Sequence, residues 1–279
     1  MVINYGLAMN KADIVKRSSD LSKSIRESCL IATHNANSSH IASALSMADI
    51  LATLYAGILH CDPLDPKKKD RDILILSKGH GGIALYSVLA EVGFFDKALL
   101  ENYCSYGSEL SGHVSHTVPG VDFSTGSLGH GISIAAGIAM AKKMDGRKER
   151  VFVICGDGEL NEGSVWEAIM FSNRFRLSNL TIIVDRNRMQ ALGGDILRLD
   201  DLTSKFKAFG MDAVSIDGHD FEQLFNAMTR KNGKRPIVVI ANTIKGKGVS
   251  FMENNLIWHY RSPNQEDLDR ALKEIRGEK

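Results

Sequence analysis

Apolar residues recur at helical spacing through Ile14, Leu21, Ile25 and Leu30, and again through Leu45, Ile50, Leu51 and Leu54. This predicts two amphipathic helical segments early in the chain. Four short runs then break the rhythm: 72–76, 151–155, 180–184 and 236–240 are apolar, β-branched and free of polar alternation. A strand with one wet face alternates, so continuous apolar strands call for a parallel sheet buried on both sides. Helical spacing returns between the runs, for example over 165–175 and 221–228, and a polar helix is expected from about 265 to 279. The order reads as α/β, a doubly wound parallel sheet with helices on both faces. Neither a linker nor a repeat divides it, so 1–279 is expected to be a single domain with a short N-terminal extension and a C-terminal helix.

Composition narrows the function classes. The chain has 279 residues, 44% of them hydrophobic, and 34 basic against 33 acidic groups. A net charge near zero gives no electrostatic surplus for nucleic acid or an anionic membrane, and neither is expected as a partner. The longest apolar stretch, 131–141, is too short to cross a bilayer. The beginning of the sequence lacks a basic segment followed by an apolar one, so no secretory signal is expected. Cys29, Cys61, Cys104 and Cys155 form no C-x-x-C pair. They read as small buried hydrophobes in a reducing cytoplasm.

The chemistry concentrates where two apolar strands end. Cys155-Gly156-Asp157-Gly158-Glu159 follows one strand, and Asp185-Arg186-Asn187-Arg188-Met189 follows the next. Ligands of open α/β sheets collect outside the carboxyl ends of strands. Thirty residues separate Asp157 from Asn187, the length of one strand–helix–strand unit, so neighbouring strands would bring them together. A carboxylate, an amide oxygen and a main-chain carbonyl form a hard-oxygen half-shell suited to Mg²⁺, completed by phosphate and water oxygens. Glycines at 156 and 158 would let the main chain approach a phosphate. By itself Gly-Asp-Gly reads more readily as a tight turn; the asparagine at the next strand end changes the balance.

This pairing resembles the thiamin diphosphate motif, and the longer run 156–168 (GDGELNEGSVWEA) is similar to transketolase. Further landmarks agree in order: Ala36-Asn37-Ser38-Ser39-His40, Ser77-Lys78-Gly79-His80, Gly112-His113, Thr125-Gly126-Ser127-Leu128-Gly129-His130-Gly131, Lys245-Gly246-Lys247-Gly248 and Trp258-His259. The likeness runs from about 16 to 263. It implies the thiamin diphosphate-binding fold, in its diphosphate-binding domain, with thiamin diphosphate and Mg²⁺ (Ca²⁺ or Mn²⁺ substituting) as cofactors. Asp157, Asn187 and the Met189 carbonyl match the metal ligands. Gly156, Gly158, His80 and His259 match the surroundings of the diphosphate, and Lys245 matches a loop lysine near the cofactor. Gly126 and Leu128 match the loop that approaches its rings. His40, His80, His113 and His259 match the catalytic histidines that handle sugar hydroxyls, a task for groups titrating near neutrality. His34, His60, His116 and His219 read as surface or core residues, the last in a loop entering a helix.

The reaction implied is transfer of a two-carbon ketol unit from a ketose or its phosphate to an aldose, with the cofactor as electron sink. Two departures bear on the substrate. Ile41-Ala42 follows His40 where the family commonly has a Pro-Gly or Pro-Thr pair, and His130 stands where it usually has Gln. The family's second domain, which supplies the activating glutamate, has no counterpart here. The chain therefore resembles the N-terminal subunit of a split transketolase that needs a separate C-terminal subunit. Glu162 matches a carboxylate at the subunit contact, which implies a homodimer within an α2β2 heterotetramer; Trp166 beside it reads equally as a core residue. Two other readings stay open: one component of a thiamin diphosphate enzyme acting on 2-oxoacids, and a non-catalytic paralogue.

Overall fold

The computed structural model describes residues 9–278 apart from 127, 191–192, 194–196, 198, 200 and 232, so Ser127 of the glycine loop lies outside the described residues. Five strands form one parallel sheet: β1 (Ile73–Leu76), β2 (Val151–Gly156), β3 (Leu180–Arg186), β4 (Asp212–Asp217) and β5 (Ile237–Asn242), in the order β1-β2-β3-β5-β4.

Strand side chains alternate between two apolar layers, which is why the strands read as unbroken apolar runs. Leu74, Leu76, Phe152, Ile154, Ile183 and Val239 pack into one layer. That layer is built with α1 (Lys11–Asn35), α2 (Ile41–Ser46), α3 (Ala48–Thr53), α4 (Gly82–Val92), α8 (Phe221–Met228) and α9 (Gln265–Arg276). Ile73, Ile75, Val151, Val153, Ile182 and Val238 pack into the other, against α5 (Gly131–Met144), α6 (Gly163–Arg174) and α7 (Leu202–Ala208). Each fully buried aliphatic side chain contributes on the order of 2 kcal/mol. Both faces therefore hold the sheet, and its carboxyl edge is left for polar groups.

Local sequence sets the element ends. Asn10 accepts the Asp13 amide at the start of α1. Asn264 and Asp267 form a reciprocal capping box at the start of α9. Gly277, at φ 71°, ends that helix in the left-handed region.

Two expectations change. β4 is a fifth strand that the apolar-run pattern did not predict. It lies at the sheet edge with Ser215 and Asp217 exposed, so it alternates as a half-wet strand does. Cys104 is exposed, whereas the other three cysteines are buried as expected; none of the four is in a disulfide among the described residues. Cys104 has φ 55° in a turn closed by its amide on the Leu110 carbonyl, and that turn holds it at the surface. Among the described residues no helix is long and apolar enough to cross a membrane.

Candidate active site

The turns that follow β1, β2, β3 and β5 open into one cleft of about 720 Å³. It is lined by His40, His80, His113, Gly126, Leu128, Gly156, Asp157, Gly158, Asn187, Met189, Lys245 and His259, every residue singled out from the sequence as a site candidate. Glu162 and His130 line it as well.

Pairing of β2 with β3 creates the oxygen cluster. Gly156 stands opposite Asp185, and the Asp157 amide donates to the Asp185 carbonyl at 3.3 Å. Asp157 then bridges the two strand ends, with Oδ1 accepting the Gly158 amide at 2.9 Å and Oδ2 the Arg188 amide at 2.6 Å. Asn187 Oδ1 accepts the Met189 amide at 3.1 Å. Arg188 sits at φ 60°, a left-handed position that turns the chain sharply between the two. Burial, with the Asp185 charge nearby, pushes the Asp157 carboxyl up to about 6 against the pull of its amide donors. A cation beside this carboxylate would favour its charged form.

The glycine loop is tied to the turn after β2 by Glu159, which is 1% exposed. One oxygen accepts the Ser77 hydroxyl and the Gly129 amide (2.9 Å), the other the Gly156 amide (3.2 Å). Below lies a second buried carboxylate. Asp185 accepts Lys78 Nζ at 2.6 Å and Ser46 Oγ at 2.7 Å, and Thr243 Oγ1 also donates to it. Burial alone would raise Asp185; Lys78 and the two hydroxyls hold it below its ordinary value.

Three histidine rings meet at the opposite wall. His40 packs against His80 at 5.2 Å and His259 at 5.1 Å between centroids. It has φ 72°, held by its amide on the His259 carbonyl at 3.0 Å. Lys245 Nζ lies 2.7 Å from His259 Nδ1 and donates to the Met189 carbonyl at 3.4 Å. Burial, reinforced by neighbouring histidines and lysines, pushes His80 down to about 2 and His40 and His259 down to about 4. Burial and Lys78 lower Lys245 to about 8. Three of the four histidines are thus neutral at pH 7 rather than poised near neutrality, because they are stacked together under two ammonium groups. His113 stands apart on the exposed rim.

The residues present fit a diphosphate with a hard cation. Two buried polar atoms in the wall, His40 Nδ1 and Gln190 Nε2, have no hydrogen-bond partner among the described residues. The Cβ positions of Gly126 and Gly156 face open space. The oxygen set of Asp157, Asn187 and the Met189 carbonyl suits Mg²⁺. Among the described residues no cluster of three His, Cys, Asp or Glu could itself hold a metal, so ligand oxygens would have to complete the shell.

Lys78, Asp185, Glu159 and Gln190 belong to the site but were not among the sequence candidates. Lys78 and Asp185 carried a signal, since each is a charged residue next to or within an otherwise apolar strand. Gln190 carried none.

An open parallel sheet with a cleft of carboxylate, amide and ammonium groups at its carboxyl edge is the arrangement in which α/β proteins hold nucleotides and diphosphates. The sequence matches the family profile "Transketolase, thiamine diphosphate binding domain" over residues 18–277. The chain belongs to that family. It is 42% identical over 264 residues to one of the subunits of the apulose-4-phosphate transketolase of Actinobacillus succinogenes, covering 92% of this chain and 95% of that one. It is 42% identical over 246 residues to the 6-deoxy-6-sulfo-D-fructose transketolase subunit SqwG of a Clostridium species, covering 86% and 89%. Human transketolase is 36% identical over 259 residues, 92% of this chain but 41% of that protein. The transketolase structure from Campylobacter jejuni superposes with a TM-score of 0.87 at 30% identity, covering 97% of this chain and 43% of that one. The chain thus matches nearly the whole length of the two single-subunit relatives and about two fifths of the longer transketolases.

Proposed function

We propose that this chain is the diphosphate- and magnesium-binding subunit of a two-polypeptide transketolase, moving a two-carbon ketol unit from an anionic ketose to an aldose. The observation that carries this reading is the single cleft that gathers the hard-oxygen set, the basic wall and the histidine cluster at the ends of four strands. When bound, thiamin diphosphate supplies the electron sink for the broken carbon–carbon bond. Asp157, Asn187 and the Met189 carbonyl would hold the cation. Gly156 and Gly158 let the main chain come close to the diphosphate, and Lys245, His80 and His259 face it with donors. Gly126 and Leu128 would border the rings. Neutral His40, His80 and His259 can each accept or donate a hydrogen bond to a sugar hydroxyl without adding charge, and His113 at the rim would exchange protons with incoming sugar.

The partner is a separate C-terminal subunit. Leu256, Ile257 and Tyr260 stand exposed beside His259 at the cleft mouth, where such a chain would seat. α6 follows Glu162 and leaves Met170 and Phe171 exposed, which supports self-association into a homodimer within an α2β2 assembly. The relatives' names give a sugar phosphate in one case and a sulfo sugar in another, so an anionic sugar is the class to test. Four free thiols suit the cytoplasm.

The test is Mg²⁺-dependent binding of thiamin diphosphate, followed by assay of the chain with its partner on sugar phosphates, sulfo sugars and 2-oxoacids. Asp157→Ala should abolish metal-dependent binding while circular dichroism stays unchanged. A folded Ala variant that binds normally, or turnover confined to 2-oxoacids, refutes the reading.

A further inference from the structure

The turn Asp217-Gly218-His219-Asp220 follows β4, and each of its residues helps to place one imidazole. The Gly218 amide donates to the Asn242 carbonyl at 2.8 Å. A Cβ at 218 would lie 2.5 Å from Thr243 Cγ2 and 3.0 Å from that carbonyl, so glycine lets the turn lie flat against the end of β5. Asp217 accepts the His219 amide at 2.8 Å, and Asp220 caps α8 through the Glu222 and Gln223 amides. The His219 side chain, 13% exposed, is held between Asp49 of α3 and the segment after β5. Its Nδ1 is 2.7 Å from Asp49 Oδ2, and its Nε2 accepts the Ile244 amide at 2.8 Å. Because Nε2 accepts, the ring proton is on Nδ1, facing the carboxylate.

Asp49 also binds Arg26 through two bonds of 2.8 and 2.7 Å, and Arg26 Nε donates to the Lys247 carbonyl at 3.0 Å. The chain is thus fastened at Ile244 and at Lys247, on either side of Lys245. Lys245 is 1% exposed, with Nζ placed between His259 and the Met189 carbonyl.

We propose that His219 is a positioning residue for the cofactor: by holding the Ile244 amide it fixes the main chain from which Lys245 reaches the metal loop and His259. The inference rests on the cleft being a thiamin diphosphate site. A lysine buried this deeply has one useful position, and its anchor lies one residue away. Releasing the part-buried Ile244 amide removes the bond that holds the segment one residue before Lys245, and leaves its donor to water or unpaired.

The experiment titrates the full chain, together with its partner subunit, with thiamin diphosphate and Mg²⁺ and reads binding by calorimetry. His219→Asn keeps a donor for Asp49 but loses the acceptor for Ile244, whereas His219→Gln can place its Oε1 at the Ile244 amide. The Asn variant should bind cofactor roughly tenfold more weakly, and the Gln variant within about threefold of wild type. In a Lys245→Met background, His219→Asn should add no further loss, since contacting residues that act through one another are not additive. Wild-type affinity in the Asn variant, equal loss from Asn and Gln, or an undiminished loss in the Lys245→Met background overturns the proposal. An Asn variant that fails to fold by circular dichroism assigns the contact to stability and overturns it too. Failure of the wild-type assembly to bind thiamin diphosphate sinks the cleft reading along with it, whereas wild-type binding with an indifferent His219→Asn sinks this inference alone.

Discussion

His80 and His113 line the same cleft in different settings, the first half-buried near Lys78 and packed against His40, the second exposed at the rim. Their substitutions should therefore separate. His113→Ala is expected to slow turnover by roughly 10²–10⁴-fold with cofactor affinity little changed, as for loss of an acid–base group. His80→Ala should damage cofactor binding and turnover together, because its ring packs against His40 in the cleft wall proposed to hold the diphosphate. Steady-state kinetics beside cofactor titration distinguishes the two, and matching small effects would remove both from the chemistry. Asp49 makes a different prediction. Burial alone would raise its carboxyl, but His219 and Arg26 hold it down to about 2 from 3.8. A depressed carboxyl contributes stability that is present above the unfolded value near 4 and is lost as pH falls through about 2. The difference is worth about 2 kcal/mol at neutral pH. The stability gap between wild type and Asp49→Asn in urea titrations should be full at pH 7 and close between pH 4 and pH 2; a gap independent of pH would refute the assignment.

The elements matter to the site chiefly at their ends. The tight turn after β1 lies so close to the glycine loop that a Cβ at Gly79 would stand 2.4 Å from the Thr125 carbonyl oxygen and 3.1 Å from the Gly126 nitrogen. Thr125 is fixed in turn by its hydroxyl on the Leu76 carbonyl at 2.5 Å and its amide on the Val114 carbonyl at 3.2 Å. Gly79→Ala should therefore displace the loop that bears Gly126 and Leu128, costing about 1–3 kcal/mol of stability as overpacking does and weakening cofactor binding. Thermal denaturation and cofactor titration of the variant check this, and wild-type values in both would mean the loop slides freely. The apolar runs were legible as strands because both faces of β1, β2, β3 and β5 are covered. β4 was not, because its outer edge is unpaired and Ser215 and Asp217 face water.

On the split-enzyme reading, the whole chain presents half of a site. Tyr260 packs on His40 and His259 of the cleft wall and stands exposed, as do Leu256 and Ile257. The chain's match covers 95% of the Actinobacillus succinogenes subunit but only 41% of human transketolase. The chain alone should bind thiamin diphosphate weakly and turn over no sugar, and adding the partner subunit should restore turnover with an α2β2 mass by native mass spectrometry. Transketolase activity from this polypeptide with no partner chain in the sample would refute the split assembly.

Residue order alone determined the sheet class, most of its strands and most of the residues that line the cleft, Lys78, Glu159 and Gln190 apart, because those signals are local. A doubly buried strand must be apolar throughout, and a Gly-Asp-Gly turn with an asparagine one strand–helix–strand unit later survives as a pattern whatever surrounds it. Only the tertiary structure decided how those residues behave. Asp157 meets Asn187 because β2 happens to neighbour β3. Lys78 and Asp185 become a buried pair beneath the cleft only once β1 and β3 lie in the same sheet. His40, His80 and His259, expected to titrate near neutrality, are neutral because three rings and two lysines share one desolvated wall, and His219 became a strap because α3 and the end of β5 close around it. Protonation and positioning depend on contacts between residues far apart in sequence, and no local pattern records them.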